Sequence, residues 1–159
     1  MLRFVITLHT YAQDVAAQMV TRWLKERFNS TEGICYYRHP AVMTSTGAFP
    51  DFILFTKENH PLVIKIISCG LQEIELVDED FWIINNESID PPLLELEDFV
   101  IKLESKFLDQ RKLRNRLRPR GVLVLPFISR GDFEKSSVLY RGRCVQFGRA
   151  GIRRLFNIH

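Results

Sequence analysis

The stretch Pro50-Asp51-Phe52-Ile53-Leu54-Phe55, followed across the polar turn Lys57-Glu58-Asn59-His60 by Leu62-Val63-Ile64-Lys65-Ile66-Ile67, decides how this chain folds. Two short apolar runs on either side of a four-residue turn read as a β-hairpin over Asp51–Phe55 and Pro61–Ile67. Asp51 opens the first strand and Lys65 lies inside the second, and all the other residues from Leu62 to Ile67 are apolar. That composition predicts a central strand buried on both faces, with residues 63, 65 and 67 sharing one of them. A buried ammonium needs a partner because an unpaired charge in the interior is very costly, and Asp51 is the expected one. The alternative is that Lys65 lies near the strand end and carries its charge out to solvent on its apolar stem.

Outward from the hairpin the pattern alternates helix and strand. Thr10-Tyr11-Ala12-Gln13 has the form of a capping box, and Ala12, Val15, Ala16, Met19, Trp23 and Phe28 recur at helical spacing, predicting an amphipathic helix over 11–28. A strand is expected at 34–38, with shorter ones at 74–77 and 81–84. Asp90-Pro91 is a helix start, and Leu93, Leu96, Val100, Leu103 and Phe107 give the buried face of a helix reaching about Lys112. Gly121–Leu125 is a Val-rich strand. The remainder predicts a helical turn near 131–135, a strand at 138–140 and a last helix near 149–156.

With 159 residues, 46% hydrophobic and 26% charged, the chain has enough apolar material for one globular domain, with a core over about 10–126 and a basic extension over about 127–159. Cys35, Cys69 and Cys144 form no C-x-x-C pair, and His9, His39, His60 and His159 lack ligand spacing, so a disulfide framework and a zinc site are not expected. Gly142, Gly148 and Gly151 lack the spacing of a phosphate loop, which excludes an ATPase motor within these residues. The apolar run Leu2–Leu8 is too short to span a bilayer and carries no cleavage pattern; a cytoplasmic protein with no membrane partner is expected. Charge is unevenly spread. Residues 1–110 hold 9 Lys or Arg against 17 Asp or Glu, and residues 111–159 hold 13 against 2.

The element order helix, three strands, helix, strand is that of the restriction-endonuclease-like core, an α/β fold with a mixed central sheet flanked by helices. Pro50-Asp51-Phe52-Ile53-Leu54-Phe55, the strand ending Lys65-Ile66-Ile67, and Val124-Leu125-Pro126-Phe127-Ile128-Ser129-Arg130-Gly131-Asp132-Phe133 resemble the nuclease-related (NERD-like) domain of the PD-(D/E)xK superfamily, found in front of superfamily I DNA helicases. The similarity runs from about Gln13 to Tyr140. It implies a metal-dependent nuclease ancestry, with Asp51 and Lys65 as remnants of the catalytic site and an acid near the first helix falling at Gln13 or, with a one-residue shift, at Asp14.

The sequence departs from that pattern at the second carboxylate. One register puts Lys65 where the family has its metal-binding Glu and Ile67 where it has its catalytic Lys; sliding by two residues restores Lys65 as the lysine and leaves Val63 as the acid. Mg²⁺ needs several oxygen ligands in near-octahedral geometry, and Asp51 with one backbone carbonyl and water is a poor seat for it. No cofactor is therefore expected, and Mg²⁺ enters only if an acid is imported, from Asp14 or Glu73, to rebuild an active nuclease. The expectation is that Lys65 occupies the place of the metal and neutralises Asp51.

Arg111-Lys112-Leu113-Arg114-Asn115-Arg116-Leu117-Arg118-Pro119-Arg120 carries six cations and no acid. Arginine matches phosphate with a planar fork, and contiguous cations neutralise several phosphates, so this run with Arg130 is the candidate nucleic-acid contact. The alternative is a solvated loop that balances the acidic segment before it. Together these readings point to a catalytically degenerate nuclease-fold module that binds DNA or regulates, associated with a helicase or another DNA-repair protein. An active nuclease with a rearranged site and a protein-interaction domain are the alternatives.

Overall fold

The computed structural model describes residues 1–6, 9–40, 43, 47–112, 117–129, 132, 139–141 and 155–156. The chain opens with strand β1 (Leu2–Ile6), a 3-10 turn (His9–Gln13) and helix α1 (Val15–Arg27), then β2 (Gly33–Tyr37), β3 (Phe52–Thr56) and β4 (Leu62–Ile66). A meander of β5 (Ile74–Asp78), β6 (Trp82–Ile84) and β7 (Glu87–Ile89) precedes helix α2 (Pro92–Leu108). Strands β8 (Arg120–Val124), β9 (Leu139–Arg141) and β10 (Leu155–Phe156) complete it. The protein is a mixed α/β fold in which α1, β2, β3, β4, α2 and β8 follow in the expected order, with β5–β7 interposed.

The main sheet runs β1-β2-β3-β4-β8-β10, and a second sheet runs β7-β6-β5-β9. Strands β2, β3 and β4 are antiparallel neighbours, whereas β4 and β8 are parallel, with Lys65 beside Leu123. Gly33 is required where β2 begins, since a Cβ there would stand 2.3 Å from the Phe55 carbonyl oxygen. Strand alternation divides the core. Phe52, Leu54, Ile64, Ile66, Val122 and Val124 pack toward Ala16, Ala17, Val20 and Leu24 of α1. Ile53, Val63, Ile67, Leu123 and Leu125 pack toward Leu96, Phe99, Val100, Leu103 and Phe107 of α2. Each large side chain fully buried this way contributes about 1.5–3 kcal/mol. Because Lys65 shares the parity of Val63, the same alternation aims it at α2.

Several elements differ from the sequence expectation. The first helix begins at Asp14 rather than Thr10: the Asp14 carboxylate accepts from the Ala17 amide at 2.8 Å, and a carboxylate suits the positive end of a helix better than a hydroxyl. The second helix is capped at Pro91, one residue later than expected, and ends at Leu108. Strands β1 and β7 were not anticipated. At 155–156 the chain pairs in parallel with Leu123 and Val124 instead of forming a helix, which satisfies the outer edge of β8; the rest of 149–156 lies outside the described residues. The turn expected near 131–135 also falls there, apart from Asp132.

Candidate functional site

Asp51 lies in the bend just before β3, at the end of the sheet where β4 leaves it, and is 7% exposed. Its Oδ2 accepts from the Ile66 amide at 2.7 Å, so the side chain serves as an acceptor at the end of β4. Burial raises the Asp51 pKa above the usual carboxylate range, and the Ile66 amide and the charges of Lys65 and Arg38 only partly offset this.

The cation that reaches Asp51 is Arg38. Its Nε and Nη2 both donate to Asp51 Oδ1 at 3.4 Å, and Nη2 also lies 3.4 Å from Asp14 Oδ2. Arg38 follows β2 with φ of 46°, a left-handed conformation uncommon for a residue with a Cβ. Its amide donates to the Asp51 carbonyl at 3.0 Å, and its guanidinium stands 5.1 Å from the centroid of the Tyr37 ring. Tyr37 in turn donates its hydroxyl to Asp14 Oδ2 at 2.9 Å. Burial first, and this hydrogen bond second, push the Tyr37 hydroxyl up to about 12. Asp14 thus closes a chain of contacts, capping α1 with Oδ1 and holding Tyr37 and Arg38 with Oδ2.

Lys65 is paired elsewhere than expected. Its Nζ lies 2.6 Å from Glu95 Oε2, from the first turn of α2, and the two side chains are 21% and 30% exposed. The Lys65–Asp51 pair read from the sequence is therefore corrected: the β3–β4 register carries Asp51 across from Lys65, but Glu95 of α2 takes the Lys65 ammonium, while Asp51, in the bend before β3, bonds the Ile66 amide and Arg38. Lys65 acts on Asp51 through its field alone.

The remaining candidates separate. Gln13 is exposed at the end of the 3-10 turn, and Asp14, one residue on, is the acid that reaches the site. Glu73 accepts from the Gly70 amide and from Asn85 Nδ2 around its own turn, and these hydrogen bonds lower its pKa. Val63 is fully buried in the α2-side core. Arg111, Lys112, Arg118 and Arg120 are exposed, while Arg114, Arg116 and Arg130 lie outside the described residues. Among the described residues no three His, Cys, Asp or Glu side chains converge as a metal seat. None of the described helices is long and apolar enough to cross a membrane.

Arg38, Tyr37 and Glu95 are the site residues that sequence reading missed. Glu95 carried a signal, as an acid in the first turn of a helix expected to pack on the central strand. Arg38 carried none, because its aim depends on a left-handed backbone.

No family model, curated protein or solved structure matches the chain.

Proposed function

We propose that this chain is a nuclease-type α/β domain that binds nucleic acid, DNA foremost, without cleaving it, and serves as a binding or regulatory module beside a helicase or another DNA-repair protein. The observation that carries the reading is the Arg38 guanidinium spanning Asp14 and Asp51. Two carboxylates near one sheet end are the start of a divalent-metal seat, but a third oxygen ligand is needed, and neither Lys65 nor Val63, the two positions where the resemblance would put a strand carboxylate, supplies it. A guanidinium already between the two acids supplies charge compensation of its own, and a metal ion would have to displace it. The donor set does not fit Mg²⁺. Exposed Arg111, Lys112, Arg118 and Arg120 supply the cationic surface for phosphates.

The test is incubation of the purified chain with single- and double-stranded DNA in Mg²⁺ or Mn²⁺, alongside a filter-binding assay. Binding without cleavage is expected. Nicking that disappears in Asp51→Asn overturns it. A second reading rests on Glu95, the carboxylate that meets Lys65: an active nuclease with a displaced acid would lose cleavage in Glu95→Gln as well as in Asp51→Asn.

A further inference from the structure

The end of the sheet opposite Asp51 holds a cavity of about 620 Å³ between the C-terminal turn of α1, the β3–β4 turn and the start of β8. Its accessible apolar lining is Trp23, Phe28, Leu62 and Leu117, over the buried Leu54, Ile64 and Val122, and Arg27 and Arg120 line it as well. Its lining carries Arg27, Lys57 and Arg120 against Glu58, and the Lys57 ammonium is paired with Glu32 outside it. Among the described residues no carboxylate pairs with the Arg27 or Arg120 guanidinium. Beside the cavity the Arg118 amide donates to His60 Nδ1 at 3.3 Å, which leaves Nε2 as the donor of the neutral ring.

An apolar slot beside an indole, with guanidinium groups in its lining, matches a ligand with a flat aromatic ring at one end and a phosphate at the other. The volume lies within the 300–1,000 Å³ of small-molecule sites, roughly. We propose that this cavity binds a nucleotide, its base among Trp23, Phe28 and Leu62 and its phosphate between Arg27 and Arg120. Base stacking on an indole tolerates any base, and arginine forks recognise the phosphate. The nucleotide can come from solution or from the phosphorylated end of a strand. The inference goes beyond the nucleic-acid reading above and stands without it: a chain that binds no long duplex but takes up a monophosphate keeps the cavity and loses the module.

Tryptophan emission tests it. The chain has two tryptophans, and Trp82 is buried in the α2-side core, so Trp82→Phe leaves Trp23 as the reporter. Titration with deoxyadenosine 5′-monophosphate should quench Trp23 saturably, with deoxyadenosine binding at least tenfold more weakly. Arg120→Gln and Arg27→Gln should each weaken the monophosphate by about fivefold or more. If Trp82→Phe fails to fold, calorimetry on the unsubstituted chain reads the same affinities. A 5′-phosphorylated oligonucleotide that binds tenfold tighter than its 5′-hydroxyl form and than the monophosphate assigns the site to a strand end; equal affinity for the two phosphates assigns it to free nucleotide. No monophosphate binding by either method, or affinity unchanged in both arginine variants, overturns the proposal.

Discussion

Arg38 and Asp51 are joined twice, by the Arg38 guanidinium on Asp51 Oδ1 and by the Arg38 amide on the Asp51 carbonyl oxygen. The main-chain bond fixes where residue 38 leaves β2, and the left-handed turn there aims the side chain back across the sheet end. A buried carboxylate such as Asp51 requires compensation, and the fold draws it from both neighbouring strands, through the Ile66 amide and the Lys65 charge of β4 and through Arg38 at the end of β2.

Removing this guanidinium leaves Asp14 and Asp51 without the cation that hydrogen-bonds them, and only the field of Lys65 still acts on Asp51. Arg38→Ala should destabilise the fold by about 1–3 kcal/mol, toward the lower end because a third of the Arg38 side chain is exposed. Arg38→Gly loses the same contacts but relieves the left-handed backbone, and should be less destabilised than Arg38→Ala by roughly 0.5–1 kcal/mol. Denaturant melts of the two variants measure that difference. Equal stabilities would mean that φ at residue 38 carries no penalty.

The raised pKa of Asp51 has a defined sign in stability. A carboxylate whose folded pKa lies above its ordinary value of 3.8 binds more protons in the folded than in the unfolded chain, so stability falls as pH rises through the interval between the two values. Glu32 and Glu73 are lowered and act in the opposite sense, losing stability as the solution is acidified. The difference between the unsubstituted chain and Asp51→Asn isolates the buried group. Across a urea-melt series from acid to neutral pH, the unsubstituted chain should lose ground to Asp51→Asn as pH rises, and a difference independent of pH would contradict the assignment.

Lys65 gives a third test. A half-buried pair at 2.6 Å should show coupling of about 0.5–1.5 kcal/mol in a double-mutant cycle of Lys65→Met with Glu95→Gln. The matching cycle of Lys65→Met with Asp51→Asn should show less, since Lys65 reaches Asp51 only through its field. The reverse order would restore the pairing that the sequence suggested.

That reversal shows where sequence reading stops. The hairpin at 52–66, the strand at 120–124 and the α2 face carried by Leu96, Val100, Leu103 and Phe107 were legible, because burial imposes periods of two and 3.6 on apolar residues. Strand β7 was missed although Asn85-Asn86, both at positive φ, form the two-residue turn that announces a hairpin. Strand β1 was read only for its length against a membrane. The partner of Lys65 was misassigned for a different reason: parity gives the face of a side chain, but which acid waits on that face depends on how α2 docks, and thirty residues with a meander separate them. Asp14 was legible as an acid near the first helix, and its two roles, cap and anchor of Arg38, follow only from its two oxygens taking different partners.

Binding to polyanions supplies the last prediction. Each cation that engages a phosphate releases condensed counterions, so log K should fall linearly with log salt by about 0.9 per contact on duplex DNA. Arg111, Lys112, Arg118 and Arg120 are exposed and sit at the two described ends of the basic run, so they should contribute separately. Replacing all four with Gln should weaken binding to every sequence about equally and reduce the slope by roughly two to four units, short of the full count where a side chain faces away from the duplex. Filter binding across a salt series gives the slope directly. An unchanged slope would return these cations to balancing the acidic segment before them, and a parent chain with no DNA affinity at low salt, where non-specific binding is strongest, would favour a protein-interaction surface instead.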